Sequence, residues 1–182
     1  MAKGGTRDHG MKVFGLAGWS GAGKTTLVRA LIPALGRRGL RVSTLKHAHH
    51  AFDIDTPGKD SYEHRQAGAS EVLVASANRW ALVHELRGAP ELTSEQLISR
   101  MTPVDLLLIE GFKRDAHDKL EVHRPSLGKP LLCTADPHVV AVASDAPMPG
   151  LSVPRFDLDD VEAIAAFIIA HCDLGSRARG AA

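Results

Sequence analysis

A chain of 182 residues, 44% hydrophobic and 24% charged, is long enough to bury one substantial core. Its formal net charge of +1 argues against a broad electrostatic footprint for nucleic acid or an anionic membrane. Cys133 and Cys172 are too few for a disulfide scaffold and lack metal-site spacing, so both are read as small buried hydrophobes.

The opening MAKGGTRDHG is polar and has no apolar stretch of the kind a signal peptide needs. No apolar run approaches membrane-spanning length, so the chain reads as cytoplasmic. Residues 1–10 are expected to be a disordered lead-in and 175–182 a flexible tail, around a single domain over 11–174. Val13 to Ala17 is a short apolar run ending at glycines, which predicts a buried strand. A helix is expected from about Lys24 to Leu35, with Leu27, Leu31 and Leu35 four apart and Pro33 bending its last turn. Gly36 or Gly39 can end it.

Arg41 to Lys46 reads as a second strand, followed by the histidine-rich KHAHH. Asp60 or Ser61 can cap a short helix reaching Gln66, with Gly68 beyond it. The segments 72–76 and 80–86 flank Ala77-Asn78-Arg79 and predict a β-hairpin. Thr93 and Gln96 form a capping box for the helix that Pro103 follows. Val104 to Ile109 is nearly all apolar, as in a strand covered on both faces. Strands are also expected at Lys119–Arg124, Leu131–Cys133 and Val139–Ala143. A last helix near Asp159 buries Val161, Ile164, Phe167 and Ile168. Strands alternating with helices predict an α/β fold: a mainly parallel sheet flanked by helices, like that of the P-loop NTPases, with an added hairpin.

The segment Gly18-Trp19-Ser20-Gly21-Ala22-Gly23-Lys24-Thr25 has the Walker A spacing. Glycines let backbone N–H groups converge on phosphate oxygens where a Cβ would collide. Lys24 places a cation on the β- and γ-phosphates, and the Thr25 hydroxyl can ligate Mg²⁺. The helix beginning at Lys24 adds the partial positive charge of its N-terminus. A plain glycine turn between strand and helix is the alternative. The apolar run ending in Glu110, within DLLLIEGFK, resembles Walker B, where the acid holds Mg²⁺ or its water, with Glu in place of the commoner Asp; a solvated strand-end glutamate is the alternative there.

His47, His49 and His50, with Asp53, Asp55, Asp60 and Ser61 after them, leave three readings open. They meet phosphate or an anionic substrate, they hold a transition metal as imidazoles do, or they form a solvated loop. His47 and His49 alternate while His50 points the other way in an extended segment, so the three do not readily share one ion. Asp145 follows the strand VVAVAS. It is either the carboxylate that accepts from guanine N1 and N2, a donor pair adenine lacks, or a turn aspartate.

Together these segments resemble the MobB family of molybdopterin-guanine dinucleotide biosynthesis adaptor proteins. The resemblance runs from about Met11 to Leu174 and rests on GWSGAGKTT, KHAHH with DIDTPGKDSYEHRQAGA, VASANRWAL, LLLIEGFK, KLEVHR and VAVASD. It implies a GTP-binding protein with weak GTPase activity, using GTP and Mg²⁺. Such a protein assists a partner guanylyltransferase of the MobA type in attaching GMP to molybdopterin, which is itself a candidate ligand. It also implies a homodimer in which β-segments cross between subunits. Carried over by motif, Gly21 to Thr26 hold phosphates, and Thr25 and Glu110 neighbour Mg²⁺, with Asp60 as a further candidate. The expected nucleotide contacts are thus Gly18, Ser20, Gly21, Ala22, Gly23, Lys24, Thr25 and Thr26, with His47, His49, Asp60 and Asp145 beyond the loop. Lys24 and Glu110 are the expected catalytic pair. No glutamine stands out as a water-orienting group, so slow hydrolysis is expected. Two other classes compete. A small-molecule kinase would need an arginine-rich lid, whereas Arg37, Arg38 and Arg41 lie beyond the first helix. A metallochaperone GTPase is favoured by the histidines but not by cysteine usage.

Overall fold

The computed structural model describes residues 10–48, 52–113 and 115–175. His49, His50, and nearly all of the expected lead-in and tail lie outside these residues. In chain order the elements are β1 (Lys12–Ala17), α1 (Lys24–Gly36), β2 (Val42–Lys46), α2 (Asp60–Gln66), β3 (Glu71–Ala75), β4 (Trp80–His84), α3 (Ser94–Ile98), β5 (Leu106–Glu110), β6 (Lys119–His123), a 3₁₀ turn (Pro125–Leu127), β7 (Val139–Ser144), β8 (Arg155–Asp157) and α4 (Val161–His171). Two compact units form. One comprises the chain up to His47 and from Arg100 onward, the other Ala48–Ser99.

The first unit is built on a six-stranded sheet of order β2-β5-β1-β6-β7-β8, in which every neighbouring pair is parallel. Alternation along the strands sends Phe14, Leu16, Leu106, Leu108, Leu120, Val122, Ala141 and Ala143 into one core. Leu27, Leu31 and Leu35 of α1 and Ile164, Ala165 and Ile168 of α4 complete it. The two helices are also tied together at one end, where Arg37 and Arg38 both reach the Glu162 carboxylate at 2.8 and 2.7 Å. Pro33 stands inside α1, and the chain leaves the helix a turn later through Gly39 at φ 81°.

The opposite face of β6 is unusual, because Lys119, Glu121 and His123 are all buried there. Lys119 Nζ donates to the Asp115 carbonyl (2.8 Å) and to Asp136 Oδ2 (3.0 Å). The Glu121 carboxylate accepts the backbone N–H groups of Leu132 (2.9 Å) and Cys133 (3.0 Å).

This last pair of bonds overturns the strand expected at Leu131–Cys133. Both sides of β6 are already taken by β1 and β7, so the segment has no free ladder beside it. It turns instead, held by Glu121, and the Leu132 carbonyl accepts from Ala135 and Asp136. Cys133 is half-buried rather than buried, while Cys172 is buried as expected. β8 escaped the sequence reading because three residues after Pro154 are too few to show alternation.

In the second unit β3 and β4 form the expected antiparallel hairpin, with Leu73 opposite Leu82 and Ala75 opposite Trp80. The capping box at Thr93 and Gln96 is present. The expected side-chain cap on α2 is not. Lys59 occupies the cap position, Asp60 already lies in the first turn, and the Ser61 hydroxyl donates to Asp55 Oδ1 at 2.7 Å. Arg65 gathers Asp53, Asp55 and Glu85 around one guanidinium, which ties the approach to α2 to the chain just after β4.

Replacing Glu121 with Ala removes the acceptor for two N–H groups of half-buried residues. The expected cost is about 1–3 kcal/mol of stability, read as a lowered urea midpoint, with Glu121→Gln intermediate. An unchanged midpoint for Glu121→Ala would show that these bonds do not hold the segment.

Candidate functional site

β1 ends at Ala17 and the chain crosses the carboxyl edge of the sheet as the glycine loop before entering α1. At Gly18 (φ 143°) a Cβ would overlap the Val122 carbonyl oxygen on β6, so only glycine lets the loop leave the strand here. The loop closes through Ala22 N–H to the Trp19 carbonyl (3.2 Å), and the first helical bond runs from Leu27 N–H to the Gly23 carbonyl (3.0 Å). The Gly23 cap has no side-chain acceptor and the first turn of α1 holds no acid. No acid within the helix therefore offsets the partial positive charge of its N-terminus.

Lys24 lies back over the loop, donating from Nζ to the Gly18 (2.9 Å) and Trp19 (3.0 Å) carbonyls. Burial lowers its pKa first. Glu110 acts against that shift, while the charges of Lys113 and Lys46 add to it. Thr25 Oγ1 donates to Glu110 Oε1 at 2.7 Å. Glu110 is in register with Leu16 of β1 on one side and Lys46 of β2 on the other, and Lys46 Nζ lies 3.9 Å from its carboxylate. Residues 85 positions apart in sequence thus meet because β5 lies directly beside β1. Ser20 and Gly21 are exposed on the loop, as are Thr25 and Thr26 in the first turn of α1.

After Glu110 the chain turns sharply, with Gly111 at φ 99° and Phe112 at φ 44°. A Cβ on Gly111 would stand 2.8 Å from that of His47. The turn brings the Phe112 ring against the His47 imidazole at 4.6 Å between centroids, and His47 N–H donates to the Glu110 carbonyl at 2.9 Å. His47 is therefore placed beside the Glu110 strand end. His49 is not among the described residues. Asp60 belongs to the second unit, where with Lys59, Ser61, His64 and Val72 to Ala75 it lines an open cavity of about 600 Å³. Among the described residues no group of three or more His, Cys, Asp or Glu side chains is arranged to hold a metal ion.

Two features at this edge were not anticipated. Trp19 donates from Nε1 to the Pro130 carbonyl (2.8 Å), and the Lys113 and Lys129 ammonium groups stand 4.8 and 5.7 Å from its ring centroid. Arg124, immediately after β6, donates from Nε to the Ala22 carbonyl (3.1 Å) and from Nη1 to Asp145 Oδ2. Asp145 is thus linked through one side chain to the glycine loop. The arginine stood in the KLEVHR segment, but nothing in a linear pattern marks a bridge between two other strands. Arg37, Arg38 and Arg41 are engaged elsewhere, the first two with Glu162 and the third with Asp105.

A sequence profile of the family described as molybdopterin guanine dinucleotide synthesis protein B matches residues 13–145. The chain belongs to this MobB family. The molybdopterin-guanine dinucleotide biosynthesis adapter protein of Escherichia coli K12 is 48% identical over 160 residues, covering 86% of this chain and 91% of that one. Its counterpart in Haemophilus influenzae is 39% identical over 166 residues, covering 88% and 89%. Among solved structures, molybdopterin-guanine biosynthesis protein B matches at a TM-score of 0.65 with 27% identity, covering 87% of this chain and 99% of that one. The Bacillus subtilis MobB structure matches in fold at 0.67 with 24% identity, over 88% and 98%. The parallel sheet with its helices and the separate hairpin is thus a MobB-like fold. Among the described residues no helix is long and apolar enough to cross a membrane.

Gly111→Ala places a Cβ in a left-handed backbone and against His47. Stability is expected to fall by at least about 1 kcal/mol, measured as a lowered Tm. A variant melting with the parent would mean that the turn after Glu110 relaxes freely.

Proposed function

We propose that this MobB protein is a GTP-binding adapter of molybdopterin guanine dinucleotide synthesis, hydrolysing GTP slowly while it assists a guanylyltransferase of the MobA type. The observation that carries the reading is the Thr25–Glu110 hydrogen bond beside the Lys24 loop. A hydroxyl and a carboxylate, both hard oxygen donors, sit side by side at the carboxyl edge of a parallel sheet. That pair suits Mg²⁺, which takes one or two protein oxygens and leaves its other positions to phosphate and water. When bound there the ion would neutralise charge on the phosphates.

The chain's own residues do the rest. The loop amides and the N-terminus of α1 receive phosphate oxygens, and Lys24 exchanges its two carbonyl partners for them. Asp145 accepts from guanine N1 and N2. The chain's glutamines are Gln66 and Gln96, and Gln96 is committed to the capping box of α3. With no glutamine in the loop or in the Glu110 segment to orient water, turnover is slow. The name shared by the Escherichia coli and Haemophilus influenzae relatives supports the adapter role, and an adapter implies a partner enzyme.

The protein acts as a homodimer joined through the hairpin. Leu73, Val74, Trp80 and Leu82 are exposed on a sheet of only two strands, which is marginal alone in water.

Three measurements test this reading. Wild-type protein should bind GTP more tightly than ATP, and Lys24→Ala should weaken GTP binding by about tenfold or more without unfolding the protein. Equal affinity for the two nucleotides would refute the guanine assignment, and unchanged affinity in Lys24→Ala would remove the lysine from the phosphate site. Purified protein should raise the rate at which the transferase guanylates molybdopterin; no stimulation would sink the adapter role. The pair Leu73→Asp with Leu82→Asp should shift the sedimentation coefficient from dimer to monomer, and a persistent dimer would exclude the hairpin as the contact.

A further inference from the structure

β6 lies between the strand that leads into the glycine loop and the strand that leads to Asp145. Neighbouring strands stand about 4.8 Å apart, so β1 and β7 are separated by roughly 10 Å. A side chain starting at the carboxyl end of β6 is equidistant from both. Arg124 starts there in an extended backbone, φ −120° and ψ 112°. Its guanidinium uses Nε toward the Ala22 carbonyl and Nη1 toward Asp145 Oδ2. It lies close to the loop, 3.7 Å from where a Gly23 Cβ would stand.

From this geometry we propose that Arg124 is a positioning residue for nucleotide selection, fixing the phosphate loop and the base-reading carboxylate of Asp145 relative to one another. The proposal rests on the reading of Asp145 as the guanine contact.

The physical case has two halves. In a trans peptide the carbonyl and the following N–H point in opposite directions. Holding the Ala22 carbonyl toward Arg124 therefore turns the Gly23 N–H the other way and keeps that peptide plane from rotating. At the far end, an ionised carboxylate offers about four lone-pair sites. One goes to Nη1, which leaves enough for the two donors of guanine while fixing the plane in which they are met. A planar guanidinium with donors along several edges can do both at once, whereas an ammonium is a point donor. The Arg124–Asp145 pair is about one-third exposed on each side, so as an isolated ion pair it would contribute little to stability. Its significance lies in where its two ends are anchored.

The test measures GTP, ATP and tripolyphosphate affinities by calorimetry for the wild type, Arg124→Gln, Arg124→Lys, Asp145→Ala and the double variant Arg124→Gln/Asp145→Ala. Melting curves establish that each is folded. Arg124→Gln should lower the GTP-over-ATP preference by about tenfold and weaken tripolyphosphate binding as well. Arg124→Lys should lose most of the same preference, which keeps the test open should the glutamine variant not fold. In the Asp145→Ala background the arginine change should alter the GTP-to-ATP ratio no further. Equal losses for GTP and ATP in Arg124→Gln, full retention of preference in Arg124→Lys, or additive loss in the double variant would each overturn the positioning role while leaving the base reading intact. A wild type without preference for GTP would overturn both.

Discussion

Everything at the candidate site depends on six strands running in one direction. A parallel sheet places all its carboxyl ends along one edge, and the loops leaving that edge are the only segments that can converge there. The chain enters through β1, whose neighbours β5 and β6 are distant in sequence. The register then does specific work. Lys46, Glu110 and Leu16 are in line across three strands, so the carboxylate ends level with the loop and meets Thr25 on the first turn of α1. An antiparallel β5 would have put its first residue there instead of its last.

The second constraint is the closeness of β1 and β6. Gly18 passes so near the Val122 carbonyl that no side chain fits, and Gly15, three residues earlier, faces His117 and Lys119 in the same tight way. The same strand carries a polar buried face. Glu121 accepts from the Leu132 and Cys133 amides where the chain turns over residues 132–136, and the carbonyl of Pro130, just before that turn, receives the Trp19 indole. A buried carboxylate on β6 thus supports the glycine loop through one intervening segment. Among the described residues His117 Nε2 finds no hydrogen-bond partner, and burial and the nearby Lys119 charge push its pKa down, consistent with a neutral ring packed against Gly15.

What the sequence revealed divides by range. The loop from Gly18 to Thr25, the apolar run into Glu110 and the capping box at Thr93 are local patterns whose geometry follows from spacing, and they stand where they were expected. The hairpin was legible for the same reason. The strand expected at Leu131–Cys133 failed because its apolar residues carried the pattern while a glutamate ten residues earlier carried the decision. The cap of α2 failed because the helix begins at Asp60, which leaves Lys59 at the cap position, and Ser61 bonds Asp55 instead. Arg124 was invisible as a bridge because its two partners, Ala22 and Asp145, come from either side of it in sequence and only the strand order brings them together. Family resemblance named the motif that contains it without showing what it touches.

Charge along the edge completes the picture. At the loop, burial lowers the pKa of Lys24, Glu110 opposes that shift, and the charges of Lys113 and Lys46 add to it. With the helix N-terminus added, this end carries excess positive charge that an anion relieves. Farther along, Arg124 and Asp145 balance one another. A ligand with its negative charge concentrated at one end and a neutral hydrogen-bonding ring at the other would match that division, whereas a ligand charged at both ends would not. Lys46, Lys113 and the Arg124–Asp145 pair, none of them in the loop's motif, thus agree with the proposed nucleotide. In the proposed reading, the phosphates would lie over α1 and the base toward β7.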